Sequence, residues 1–177
     1  MALSPPEQRI WWNEKIGRGE LVWVFLAFLW GVIMFLMMAF WHVAGDQNLS
    51  KEVYRTDPAT YEAKTIAFAD KFKIREEEGV PVAKPQPGGD VYMLARLWEW
   101  WPVLELQKGQ SYRLHLSSLD WQHGFSLQPV NMNIQVHPNL EHVITLTPTE
   151  AGVYGVVCNE FCGPGHHTMV GRIYVVE

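Results

Sequence analysis

Near the C-terminus, the stretch Cys158-Asn159-Glu160-Phe161-Cys162-Gly163-Pro164-Gly165-His166-His167-Thr168-Met169 gathers both cysteines of the chain, two of its seven histidines and a methionine. Thiolate, imidazole and thioether are the soft-to-borderline side chains that copper prefers. Gly163 and Gly165 let the backbone curl round something at this place. A second imidazole from elsewhere is needed to complete such a site, and His123 in Asp120-Trp121-Gln122-His123-Gly124-Phe125 is the candidate. Two cysteines separated by three residues also suit a plain disulfide in an oxidising compartment, and spacing alone leaves both readings open. The company of His166 and Met169 favours metal. A mononuclear blue-copper centre needs one thiolate, so the second argues for two metals bridged by two sulfurs.

The elements that must position these groups follow from the rest of the chain. The 177 residues, 48% hydrophobic, allow one modest globular domain and an apolar remainder. That remainder is Leu21 to Ala44, LVWVFLAFLWGVIMFLMMAFWHVA, 24 residues without a formal charge. As a helix it spans about 36 Å, enough to cross a bilayer, and it exceeds the apolar core of a cleaved signal peptide. Residues 1–20 form a lead-in, 21–44 the transmembrane helix, and 45–90 a connector with a helix at about 58–78, started by Asp57 as N-cap and Pro58 in the first turn. The run Glu76-Glu77-Glu78 is expected as a solvated helix end. Pro81, Pro85, Pro87, Gly88 and Gly89 mark a linker before the folded domain at 91–177. There the pattern changes to short runs alternating with period two: 91–97, 111–117, 130–136, 141–147, 152–157 and 171–176 are strand candidates of an all-β sandwich.

Arg9, Lys15 and Arg18 precede the span, whereas Lys51 and Arg55 follow it. This bias puts the N-terminus in the cytoplasm and the C-terminal domain on the periplasmic or equivalent side of the cell membrane. Trp11, Trp12, Trp41 and His42 suit the headgroup level. The net charge of −5, with no basic block, argues against nucleic acid as a partner. His115, His137 and His142 lack a partner motif and are expected to be structural or surface residues.

Cys158-x3-Cys162-x3-His166-x2-Met169, preceded by Asp120-x2-His123, resembles the CuA domain of subunit II of haem-copper respiratory oxidases. The likeness covers about Val91 to the end, and the single anchor helix resembles the short form of the B-family enzymes. It implies a cupredoxin-like Greek-key sandwich and a binuclear copper centre. Cys158 and Cys162 would bridge two coppers, His123 and His166 would bind one each, Met169 would be a weak axial ligand and Glu160 would give its backbone carbonyl. His167 has no counterpart among those ligands. Glu160 matches a position whose side chain helps bind magnesium in longer forms of the family; a solvated or salt-bridged carboxylate is the alternative. Asp120 and Asn131 are candidate partners of the ligands. In the family an aromatic stretch lies over the copper site where the donor docks, which makes Trp98, Trp100 and Trp121 candidates for the point where electrons arrive. The implied function is an electron-input subunit. It accepts electrons from a soluble donor, a cytochrome c or small copper protein, and passes them to haem in a membrane-embedded subunit I for oxygen reduction. The equivalent subunit of a nitric oxide reductase and a membrane-tethered copper carrier are the rival readings. The chain has no nucleophile or acid-base constellation and no Cys-x2-Cys-His for a c-type haem.

Overall fold

The computed structural model describes residues 15–45, 52–130 and 132–177, which leaves Arg9, Trp11, Trp12, Lys51 and Asn131 outside the described residues. The chain divides into two units, Met1–Gln47 and Asn48–Glu177. In the first, helix α1 spans Arg18–Ala44 and starts three residues before the apolar run. Glu20 caps it by accepting a 2.7 Å hydrogen bond from the Gly17 amide, one of the donors a helix start leaves unpaired. From Leu21 on it is almost wholly apolar on every face and exposed in the isolated chain, and with its 27 residues it is long and apolar enough to cross a membrane. His42 lies exposed in its last turn.

The second unit is a two-sheet sandwich. Its strands are β1 (Glu52–Arg55), β2 (Lys73–Glu77), β3 (Val80–Ala83), β4 (Asp90–Arg96), β5 (Glu99–Trp101), β6 (Val103–Gln107), β7 (Tyr112–Ser118), β8 (His123–Gln128), β9 (Met132–Val136), β10 (Leu140–Leu146), β11 (Gly152–Cys158) and β12 (Val170–Val176). One sheet has the order β1-β10-β7-β4-β5 and the other β2-β3-β6-β12-β11-β8-β9. Alternation aims Met93, Leu114, Leu116 and Ile144 of the first sheet at Leu104, Phe125, Val156 and Ile173 of the second. Each such side chain, taken fully out of water, contributes about 1.5–3 kcal/mol.

The segment before residue 91 differs from the expected connector. Helix α2 covers Pro58–Phe72, with Asp57 accepting from the Thr60 amide at 3.0 Å and Pro58 in the first turn. It stops six residues short of Glu78, because Lys73–Glu77 pairs with Val80–Ala83 in a hairpin. Its turn is Glu78-Gly79, both at positive φ (52° and 83°), the geometry of a tight two-residue hairpin connection. The acidic run is therefore on a strand and its turn. Glu77 accepts hydrogen bonds from Arg75 and from the Tyr174 hydroxyl at 2.9 and 2.7 Å. The stretch from Val80 likewise opens as a strand, and β1 extends the first sheet beside β10. α2 is fastened to the sandwich by buried Tyr61, whose hydroxyl donates to the Met93 carbonyl at 3.0 Å, and by Phe68 in the core. Short β5, β6 and β8 also add to the strands expected from alternation.

Candidate metal centre

Four segments converge at one pole of the sandwich. β8 begins at His123, β11 ends at Cys158 and pairs with β8 through Cys158 opposite Phe125, and the loop 159–169 returns to β12. The loop closes on itself. Cys158 donates its amide to the Met169 carbonyl at 3.1 Å, the Asn159 amide donates to the Gly124 carbonyl at 3.1 Å, and a 3-10 turn over His166–Thr168 starts from the Gly163 carbonyl.

This closure brings together the expected ligands from far apart in sequence. Cys158 Sγ lies 3.7 Å from Cys162 Sγ, 3.9 Å from His123 Nδ1 and 3.2 Å from the Glu160 carbonyl oxygen. On the other flank, Cys162 Sγ is 3.7 Å from His166 Nδ1 and 3.8 Å from Met169 Sδ. Both cysteines are free thiols, each 4% exposed, and His123 and Met169 are fully buried. The donor atoms of His123, Cys158 and Cys162 all lie within 4.8 Å of one another, and among the described residues no other such cluster of His, Cys, Asp and Glu is found. The arrangement is paired: two sulfurs side by side, one imidazole nitrogen beyond each. The set therefore fits a soft metal.

A hydrogen bond sets the tautomer of His123. Its Nε2 donates to Asp120 Oδ1 at 2.8 Å, which leaves the Nδ1 lone pair facing Cys158. Asp120 also accepts from the Trp121 amide at 2.6 Å and the Leu97 amide at 2.7 Å. Partial burial works against this carboxylate, but the hydrogen bonds from His123, Trp121 and Leu97 outweigh it and hold its pKa below the usual value. Burial and the adjacent Cys158 push the Cys162 thiol up to about 11. The metal-free pocket thus keeps a proton there, and a metal must displace it.

The three tryptophans occupy different places. Trp98 lies against the loop: its Nε1 donates to the Cys162 carbonyl at 3.2 Å, and a Cβ at Gly165 would overlap its ring. Trp100 is 2% exposed, edge-on to His123 with ring centroids 6.3 Å apart. Trp121 is 63% exposed, as is Phe161 at the loop tip at 81%. Glu160 Oε1 accepts from Gln135 Nε2 at 2.9 Å. His167 is exposed. Of the other histidines, His115 bridges Glu141 (2.6 Å) and Asp90 (3.0 Å), while His137 and His142 lie ring to ring at 6.4 Å. Sequence reasoning did not find Gly124, whose missing Cβ leaves room for Asn159 Oδ1 and for the Glu160 amide nitrogen, 2.8 Å from where that Cβ would stand. Nor did it find Gln135; an alternating strand gives no sign of which outward side chain touches a distant loop.

Sandwich and pole together define a cupredoxin-like domain with a cluster of soft ligands, on a chain that also carries an apolar helix. A solved structure of rusticyanin from Thiobacillus ferrooxidans covers 72% of this chain and 99% of its own at a TM-score of 0.53 and 15% identity. The chain also has relatives in sequence, matched over part of its length. It is 34% identical over 88 residues, 49% of its length, to two proteins named cytochrome c oxidase subunit 2, both from Thermus thermophilus. The match spans 65% of the first and 52% of the second. A chain in the solved structure of a heme-copper terminal oxidase dimer shares the fold over 90% of this chain and all of that one, at a TM-score of 0.56 and 23% identity. No family model matches the chain.

Proposed function

We propose that the chain is the electron-input subunit of a membrane haem-copper oxidase. The observation that supports this most directly is the pair of buried, unbonded thiols 3.7 Å apart, each with an imidazole nitrogen within 4 Å. In this reading Cys158 and Cys162 bridge two copper ions, His123 and His166 hold one each, and Met169 and the Glu160 carbonyl complete the set. When bound, the copper pair supplies one-electron redox chemistry; the chain supplies a dry, braced cavity. Two sheets, the Asp120 bonds and the loop closure leave the ligands little room to move, so little reorganisation accompanies electron transfer. The burial of both sulfurs also favours a resident metal over an exchangeable cargo, as a copper carrier would need.

The soluble donor, a cytochrome c or small copper protein, delivers electrons through Trp98, which touches the loop directly, in preference to buried Trp100 or Trp121. Electrons leave for haem in a partner subunit I. α1 anchors the chain in the cell membrane with the sandwich on the periplasmic side. A magnesium ion at Glu160 would share that carboxylate with Gln135 and would need further oxygen ligands from the partner. Copper titration of the full chain in detergent tests the reading. The wild type should take up two coppers and show the purple, mixed-valence signal of one electron shared over two nuclei, and Cys158→Ser should lose that signal. A signal unchanged in Cys158→Ser would sink the assignment, and copper lost readily to a chelator would favour a carrier.

A further inference from the structure

We propose that Gln135, with Asn133 two residues before it on β9, is a positioning residue for the Glu160 carbonyl. This rests on the reading that this carbonyl is a metal ligand. The two side chains share a face of β9, as residues two apart on a strand must. Gln135 Nε2 donates to Glu160 Oε1 at 2.9 Å, and Asn159 Nδ2 donates to Asn133 Oδ1 at 2.8 Å. Their partners are consecutive residues of the loop that leaves Cys158. β8 lies between, and it places Gly124 opposite Gln135 and Ser126 opposite Asn133. The loop crosses β8 at Gly124, where the absent Cβ gives it space and the Gly124 carbonyl takes the Asn159 amide at 3.1 Å.

A backbone carbonyl has no rotamer of its own, so its direction is set by the peptide planes on either side. Here the two residues that lead into that carbonyl are held by one backbone bond to β8 and two side-chain bonds to β9, and the Glu160 oxygen lies 3.2 Å from Cys158 Sγ. The clamp acts at the far end of each side chain and touches no expected copper-binding atom. Its removal should therefore change how the carbonyl points while the thiolates and imidazoles stay in place.

Two measurements on the full chain in detergent test this. In the metal-free protein, hydrogen exchange at the Asn159 amide should quicken about five-fold in Gln135→Ala, the weight of one ordinary hydrogen bond. It should quicken more in Gln135→Glu, which sets two carboxylates face to face. In the copper-loaded protein, Gln135→Ala should keep both coppers and raise the reduction potential, since an oxygen donor to the oxidised state is withdrawn. The exchanged pair Gln135→Glu with Glu160→Gln restores a donor and an acceptor, and should return both readings toward the wild type. Exchange and potential unchanged in both single variants would overturn the proposal, as would an exchanged pair no better than Gln135→Glu alone. A wild type that shows no electron shared over two coppers refutes the reading of the site, and with it the redox half of this proposal, whatever the exchange data show.

Discussion

Replacing Asp120 by asparagine removes a charge without removing volume, and it acts on three donors at once. The carboxylate accepts from His123 Nε2 at 2.8 Å, the Trp121 amide at 2.6 Å and the Leu97 amide at 2.7 Å. An asparagine oxygen can still serve His123 and Trp121, but its NH2 then faces the Leu97 amide, which loses its acceptor. One hydrogen bond to a charged group is worth about 1.5–3 kcal/mol. The Asp120 side chain is 25% exposed, so water softens the loss, and about 2 kcal/mol is the expected cost. For a unit of this size, that lowers the unfolding midpoint by roughly 6–10 °C. His123 also loses the anion that fixes its tautomer, and such a loss lowers metal affinity by roughly 10–100-fold. Thermal unfolding of the metal-free chain followed by near-UV circular dichroism, and competition for copper against a chelator, read the two effects separately.

The sign of the pH dependence follows from the depressed Asp120 pKa. The contribution is present above the ordinary carboxylate range and is lost as pH falls through the folded-state value. The gap between wild type and Asp120→Asn should therefore be full at neutral pH and narrow in acid. A variant that unfolds within a degree of the wild type at neutral pH and competes equally well for copper would show that Asp120 does not brace His123.

The remaining expectations concern the loop and its ligands. Met169→Leu replaces a fully buried thioether by a side chain of similar volume, so the fold should lose less than about 1.5 kcal/mol. Potentiometry should show a shifted potential with both coppers present, and outright loss of copper would rule out a weak axial role. Gly165→Ala puts a methyl group into the Trp98 ring. Stopped-flow electron uptake from the native donor should slow while the copper spectrum persists; an unaltered rate would remove Trp98 from the route. With the Cys162 thiol pushed up to about 11, copper uptake must release protons, so apparent affinity should rise with pH. The raised value has the opposite consequence for the metal-free fold. Its share of stability is complete below the ordinary thiol pKa and is lost as pH climbs toward about 11, which alkaline denaturation of the apo chain can check.

The sequence alone determined the local features of this protein. A charge-free run of 24 residues has one economical form in a bilayer, and α1 contains all of it. Clean alternation in 112–116 and 142–146 marked β7 and β10, since a half-buried strand writes its two faces into its order of residues. The candidate loop stood out because Cys158, Cys162, His166 and Met169 lie within twelve positions. Tertiary structure decided whatever depends on two distant segments meeting. The hairpin that ends α2 at Phe72 draws on β6 as a neighbour for β3, which local propensity around Glu76 cannot register. The choice of Trp98 to cover the loop, the clamp of Gln135 on Glu160 and the need for Gly124 to be glycine all arise where separate strands cross. These contacts are non-local, and the residues making them look like ordinary surface and strand positions until the two sheets close on each other.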